Sequence, residues 1–169
     1  MASTTLGWTR LVWVCAVVVM GVSGRSDRVP PEACDGMKPL GHGAEPQISL
    51  PPYYIDVIPP TVPNQAFQVV LAADDPSVPF MGFFIKAFDE ITGKVVGSFT
   101  RSSDVGTIDC GASGFGAHHT SSTPKTSVIL NWQPSDYTGS VSFMATVVQS
   151  FSVYWVGVVS PSVAVGGII

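Results

Sequence analysis

Thr126-Ser-Val-Ile-Leu-Asn-Trp132, Ser140-Val-Ser-Phe-Met-Ala-Thr-Val-Val148 and Val153-Tyr-Trp-Val-Gly-Val-Val159 decide the fold class. Each is short and rich in β-branched and aromatic residues. The second alternates apolar with polar or smaller side chains at period two, the pattern of a strand with one buried face. Gln133-Pro134 ends the first segment, because proline has no amide to give a ladder. Working back toward the N-terminus, the same signals recur in Tyr53–Ile58, 66–72, 80–89, 95–99 and 105–110. They are separated by Pro59-Pro60, Pro63-Asn64, Asp74-Asp75-Pro76 and Thr92-Gly93, all turn or breaker sequences. Residues 111–117, Gly-Ala-Ser-Gly-Phe-Gly-Ala, read as a flexible loop. Lys86 lies within the 80–89 segment, which predicts a strand with one face toward solvent. No stretch repeats at 3.6 residues. About eight short strands in a chain of this length predict an all-β fold, an antiparallel β-sandwich of immunoglobulin-like architecture.

The N-terminus sets the compartment. Arg10 is the only charged residue before Arg25, and Leu11–Met20 between them is apolar and ends in small residues up to Gly24. This is the layout of a secretory signal peptide, too short for the roughly 20 residues that cross a bilayer. Residues 1–24 are therefore read as a signal peptide and 25–169 as one secreted, extracellular domain, with no membrane association after cleavage. Arg25–Pro52, rich in Pro and Gly, reads as an extended lead-in. Beyond Asp136 no side chain is charged. That tail is compatible with a final strand or with a lipid-anchor signal, and Pro161 with Gly166-Gly167 interrupts the second pattern.

Cys15 leaves with the signal peptide, so Cys34 and Cys110 remain. In an oxidising compartment two cysteines make one disulfide; two free thiols are the alternative. The bridge would close a 77-residue loop, worth about 4–5 kcal/mol in the chain-entropy account. Seven basic and twelve acidic residues remain after cleavage, a formal net charge of −5. That sign disfavours nucleic acid and other polyanions, unless folding gathers Lys38, Lys86, Lys94, Arg101 and Lys125 into a patch.

No constellation of side chains announces chemistry. His118-His119 are imidazoles of the kind that bind zinc or copper, but His42 is the only other histidine and neighbours on a strand point apart. They read as one packed and one solvated residue, with no metal and no cofactor. No G-x-S-x-G elbow is present, so no catalytic residue is assigned and the chain reads as a non-enzyme. Asp74, Asp75, Asp104 and Asp109 lack a calcium-loop spacing and read as turn acids. Neither Asn64 nor Asn131 begins a glycosylation sequon. Phe83-Phe84 and Tyr154-Trp155 each place two aromatics side by side, so one of each pair is expected to face outward, bare or beneath the Arg25–Pro52 lead-in.

Taken in order, Cys34-Asp-Gly-Met37, Pro52-Tyr-Tyr-Ile55, Met81-Gly-Phe-Phe-Ile-Lys-Ala87, Val96-Gly-Ser-Phe99, Cys110 followed by His118 and His119, Leu130-Asn-Trp-Gln-Pro134, Val141–Val148 and Tyr154-Trp-Val156 resemble a reeler domain. The resemblance runs from about residue 31 to 160. Such domains stand at the N-terminus of reelin and F-spondin and occur in ferric-chelate-reductase-like membrane proteins. A signal peptide followed by a single reeler domain is similar to small insect defence proteins. The resemblance implies a sandwich with a disulfide and supplies no catalytic residues. It implies a role in innate defence, with antimicrobial action or binding of a microbial surface component. A matrix or adhesion module that binds an extracellular glycan or protein is the second reading.

Overall fold

The computed structural model describes residues 29–62 and 65–166; the signal-peptide reading of 1–24 lies outside the described residues. Ten strands form two antiparallel sheets: β1 (Tyr53–Ile58), β2 (Phe67–Ala73), β3 (Gly82–Asp89), β4 (Ser98–Phe99), β5 (Val105–Ile108), β6 (Gly116–His119), β7 (Ser127–Gln133), β8 (Gly139–Ser150), β9 (Val153–Val159) and β10 (Val163–Val165). One helical turn, α1 (Ala33–Gly36), precedes them. The first sheet runs β1-β2-β7-β4. The second runs β10-β8-β3-β6-β5, with β9 also on β8. The twelve-residue β8 divides its free edge, giving its first residues to β10 and the rest to β9.

The alternation of the sequence becomes the core. Tyr53 and Ile55, Val69 and Leu71, and Leu130 and Trp132 point inward from the first sheet. Phe83 and Ile85, and Phe143, Ala145 and Val147, meet them from the second. Trp132 is fully buried. Its ring stands edge-on to Phe67 and Phe143, at 5.5 and 5.2 Å, and its indole N–H donates to Val96 O. Gly97 passes so close beneath it that a Cβ would lie 2.2 Å from the ring, and its φ is +65°; only glycine satisfies both demands. In β9 the register slips where Gly157 takes a φ of +82°. That bulge turns both Trp155 and Val158 into the core, although three positions separate them.

The described residues form ten strands, in keeping with the expected sandwich of about eight, and β4 and β10 are only two and three residues long. Several expectations need correction. Part of the Gly-rich 111–117 loop is β6, whose Gly116 sits where a Cβ would strike Phe84 and Ile108. The expected strand over 95–99 shrinks to two residues plus a bridge from Val95 to Phe88. Val153–Val159 is a strand, β9, as expected, and the uncharged tail beyond it adds β10, with Val165 buried. Lys86 is not on a solvated face: it is only 5 % exposed, because the lead-in lies over it.

Candidate ligand cleft

The lead-in crosses the outer face of the second sheet as a strap. Cys34, in α1, is bonded to Cys110 just beyond β5, with Cα atoms 5.4 Å apart. The α1 turn ends at Met37, whose left-handed conformation closes an N–H bond to Ala33 O, and Ala33 and Met37 are both buried. From the sheet, Lys86 Nζ donates to Cys34 O and the Thr146 hydroxyl to Met37 O. Farther along, the Tyr154 hydroxyl donates to Ala44 O at 2.6 Å, the Gln47 amide to Tyr154 O at 2.8 Å, and the Trp155 indole to Ser49 Oγ at 3.2 Å. Burial pushes the Lys86 pKa down, and the nearby Asp35 carboxylate opposes this. Phe84 and Tyr154, the outward members of the two aromatic pairs, are therefore covered.

Between strap and sheet lies a cleft of about 340 Å³. Phe84, Thr146 and Val148 form its floor with Gly82, while Met37 and Leu40 of the strap roof it. His42 closes one end, stacked on Phe151 at 4.9 Å and nearly parallel to it. The lining is mainly apolar with few polar groups, and the volume falls at the small end of ligand sites. Lys38 stands at the rim, its ammonium 3.8 Å from Glu45 in an exposed pair. His42 Nδ1 is buried with no hydrogen-bond partner among the described residues. A wider polar depression, lined by Glu32, Arg101, Thr107 and His118, shares Val29 and Pro30 with this cleft.

The two neighbouring histidines do not divide into one packed and one solvated. His118 is buried and His119 half-buried, with ring centroids 6.2 Å apart. Glycine makes the room. A Cβ on Gly106, the cross-strand partner of His118, would meet that ring at 2.5 Å, and one on Gly82 would meet His119 at 2.9 Å. His118 Nδ1 lies 2.6 Å from His119 O, and His119 Nδ1 lies 3.1 Å from both Phe83 N and Phe83 O. His119 becomes a wall of the cleft. Among the described residues no three His, Cys, Asp or Glu side chains are grouped to hold a metal.

The acidic residues serve turns. Asp75 accepts the Ser77 amide at 2.8 Å, which holds its pKa below the ordinary value, and Asp109 accepts the Gly114 amide at 3.0 Å. Asp104 accepts the Ser103 hydroxyl, and Asp74 donates its amide to Pro52 O. Asp89 is the acid the sequence did not single out. It accepts the Tyr137 hydroxyl at 2.6 Å, together with the Thr92 amide and hydroxyl and the Ile91 amide. These bonds hold its pKa at about 2. Tyr137 rises to about 12, first from desolvation and then from Asp89. Of the five dispersed cations, Lys86 is buried, and Lys125 donates to Ser121 O and Thr123 O. No helix among the described residues is long and apolar enough to cross a membrane.

Comparison with known proteins agrees with this architecture. Residues 32–167 match the reeler domain. Defense protein l(2)34Fc of Drosophila melanogaster is 36% identical over 162 residues, which cover 92% of this chain and 98% of that protein. Ferric-chelate reductase 1 of Mus musculus is 34% identical over 163 residues, 92% of this chain but 26% of its own length. The crystal structure of the human F-spondin reeler domain superposes with a TM-score of 0.57, covering 73% of this chain and 94% of that one, at 17% identity; that likeness is one of fold. On the family match, and on the relative of equal length, the chain belongs to the reeler domain family.

Proposed function

We propose that the protein is a secreted, non-enzymatic binding module of innate defence, which recognises a component of the microbial surface. The observation that carries this reading is the strap-roofed cleft: a mostly apolar site of ligand size with few polar groups around it. The equal-length defense protein of Drosophila supports the biological setting. Recognition rather than lysis suits the chain, because it is acidic and carries no basic amphipathic helix. The secreted form is the product of cleavage after Gly24 and begins at Arg25, which N-terminal sequencing of medium from expressing cells checks.

The test is retention of the purified protein on bacteria, fungal wall and heparin across a range of salt. Retention on microbes that changes little with salt supports the reading, since no run of cations exists to release counterions. Strong heparin retention that disappears at high salt would move the protein to the matrix-adhesion role. Only Lys38, Lys94 and Arg101 of the five dispersed cations have ammonium or guanidinium groups that neither burial nor backbone carbonyls already engage.

A further inference from the structure

We propose that the cleft binds the straight aliphatic chain of a medium-length fatty acid, with the carboxylate held at the rim by Lys38 and His42. This rests on the reading of the cleft as the module's binding site and names the chemistry of its ligand. Three observations carry it. The apolar lining combines the aliphatic and thioether side chains of Met37, Leu40, Met81 and Val148 with the Phe84 and Phe151 rings, and methionine adapts to a flexible chain better than rigid side chains do. Gly82 carries no side chain, so the His119 ring packs against its backbone and closes one wall of the cleft. The strap brings two polar groups to the cleft: a Lys38 ammonium in a loose, solvent-exposed pair with Glu45, and a His42 Nδ1 buried without a partner among the described residues. A carboxylate fits both. It exchanges for Glu45 at the ammonium, and it accepts from Nδ1–H in the tautomer that carries its proton there. The small volume sets an upper limit on chain length, so a long chain must leave its end in water.

Calorimetry of the secreted protein with octanoate, decanoate, dodecanoate and hexadecanoate tests this, with dodecanol as the uncharged control. One saturable site is expected. Kd should fall about fourfold for each added methylene and stop falling before hexadecanoate. Dodecanol should bind more weakly than dodecanoate. Lys38→Glu, at an exposed position that the fold does not need, should weaken dodecanoate by about tenfold and leave dodecanol unchanged. Absence of saturable binding, affinity independent of chain length, or a Lys38→Glu variant that binds dodecanoate as before would overturn the proposal. Graded fatty-acid binding without retention on microbes would support it while removing the defence reading. Retention on microbes without fatty-acid binding would do the reverse.

Discussion

The two sheets of the sandwich carry opposite outer faces. On the four-stranded sheet, Tyr54, Asp56, Gln68, Ile129 and Asn131 stand in solvent or at its edge, with Tyr54 46 % and Ile129 57 % exposed. On the six-stranded sheet, Phe84, Lys86 and Thr146 are all within 5 % of complete burial, although one is cationic and one hydroxylated. The strap makes the difference. One disulfide, two side-chain bonds from the sheet to strap carbonyls, and the Tyr154 and Trp155 contacts hold it down. Covering a face with irregular chain brings backbone carbonyls into a buried layer, and each needs a donor. Lys86 and Thr146 supply two. A roof made of loop rather than strand also fits less closely, and the cleft is the space left under it.

The largest expected effect comes from freeing the strap. Replacing Cys34 and Cys110 together with serine should lower unfolding free energy by about 2–5 kcal/mol. Denaturant titration measures it. Hydrogen exchange should place the early loss of protection at the Gln47 amide and α1, before any loss between β1 and β2. Equal loss across both sheets would show that the strap is not a separate layer.

A pair of tyrosines sets the two regions against each other more sharply. Tyr53 is buried in the core with its hydroxyl unpartnered among the described residues, and burial raises its pKa. Tyr154 uses its hydroxyl to hold the strap. Tyr53→Phe should therefore stabilise by about 1 kcal/mol, and Tyr154→Phe should destabilise by about the same amount. The signs of the two shifts in denaturation midpoint check this.

Acid should separate the strap from the turn beyond β3. The Asp89 pKa is depressed from 3.8 to about 2. Its contribution is complete above pH 3.8 and is lost as pH falls toward 2. The effect is modest, since Asp89 is half-buried in a turn that solvent still reaches and screens. The disulfide does not titrate, and the donors that bond strap carbonyls, Lys86, Thr146 and Tyr154, keep their protons through that range. Asp89→Asn should flatten the acid limb of the stability profile, with little change at neutral strap protection. The smallest effect belongs to the bare face: Ile129→Thr should stay within about 0.5 kcal/mol.

The same contrast explains what could be read in the sequence. In β1 and β7 burial alternates residue by residue, as period-two patterning expects. In β3 the first six residues are all buried, so Lys86 looked like a solvent marker, when it was a donor to a strap 52 residues away. The cysteine pair was legible from its count and compartment. The cleft was not. Met37, Leu40 and His42 form no periodic pattern, and nothing local says that they land on Val148 or Phe151. β6 was hidden by the glycines in and before it; Gly116 leaves room there for the Phe84 ring, as Gly106 and Gly82 on the neighbouring strands do for His118 and His119.

The central claim is that the strap-covered face is the binding face and the bare face is inert. Methyl-resolved NMR of the secreted protein during titration with decanoate tests it most directly. The account predicts shifts at Met37, Leu40, Met81 and Val148, with Ile129 and Val70 unmoved. Shifts at Ile129 and Val70 with the cleft methyls silent would contradict it.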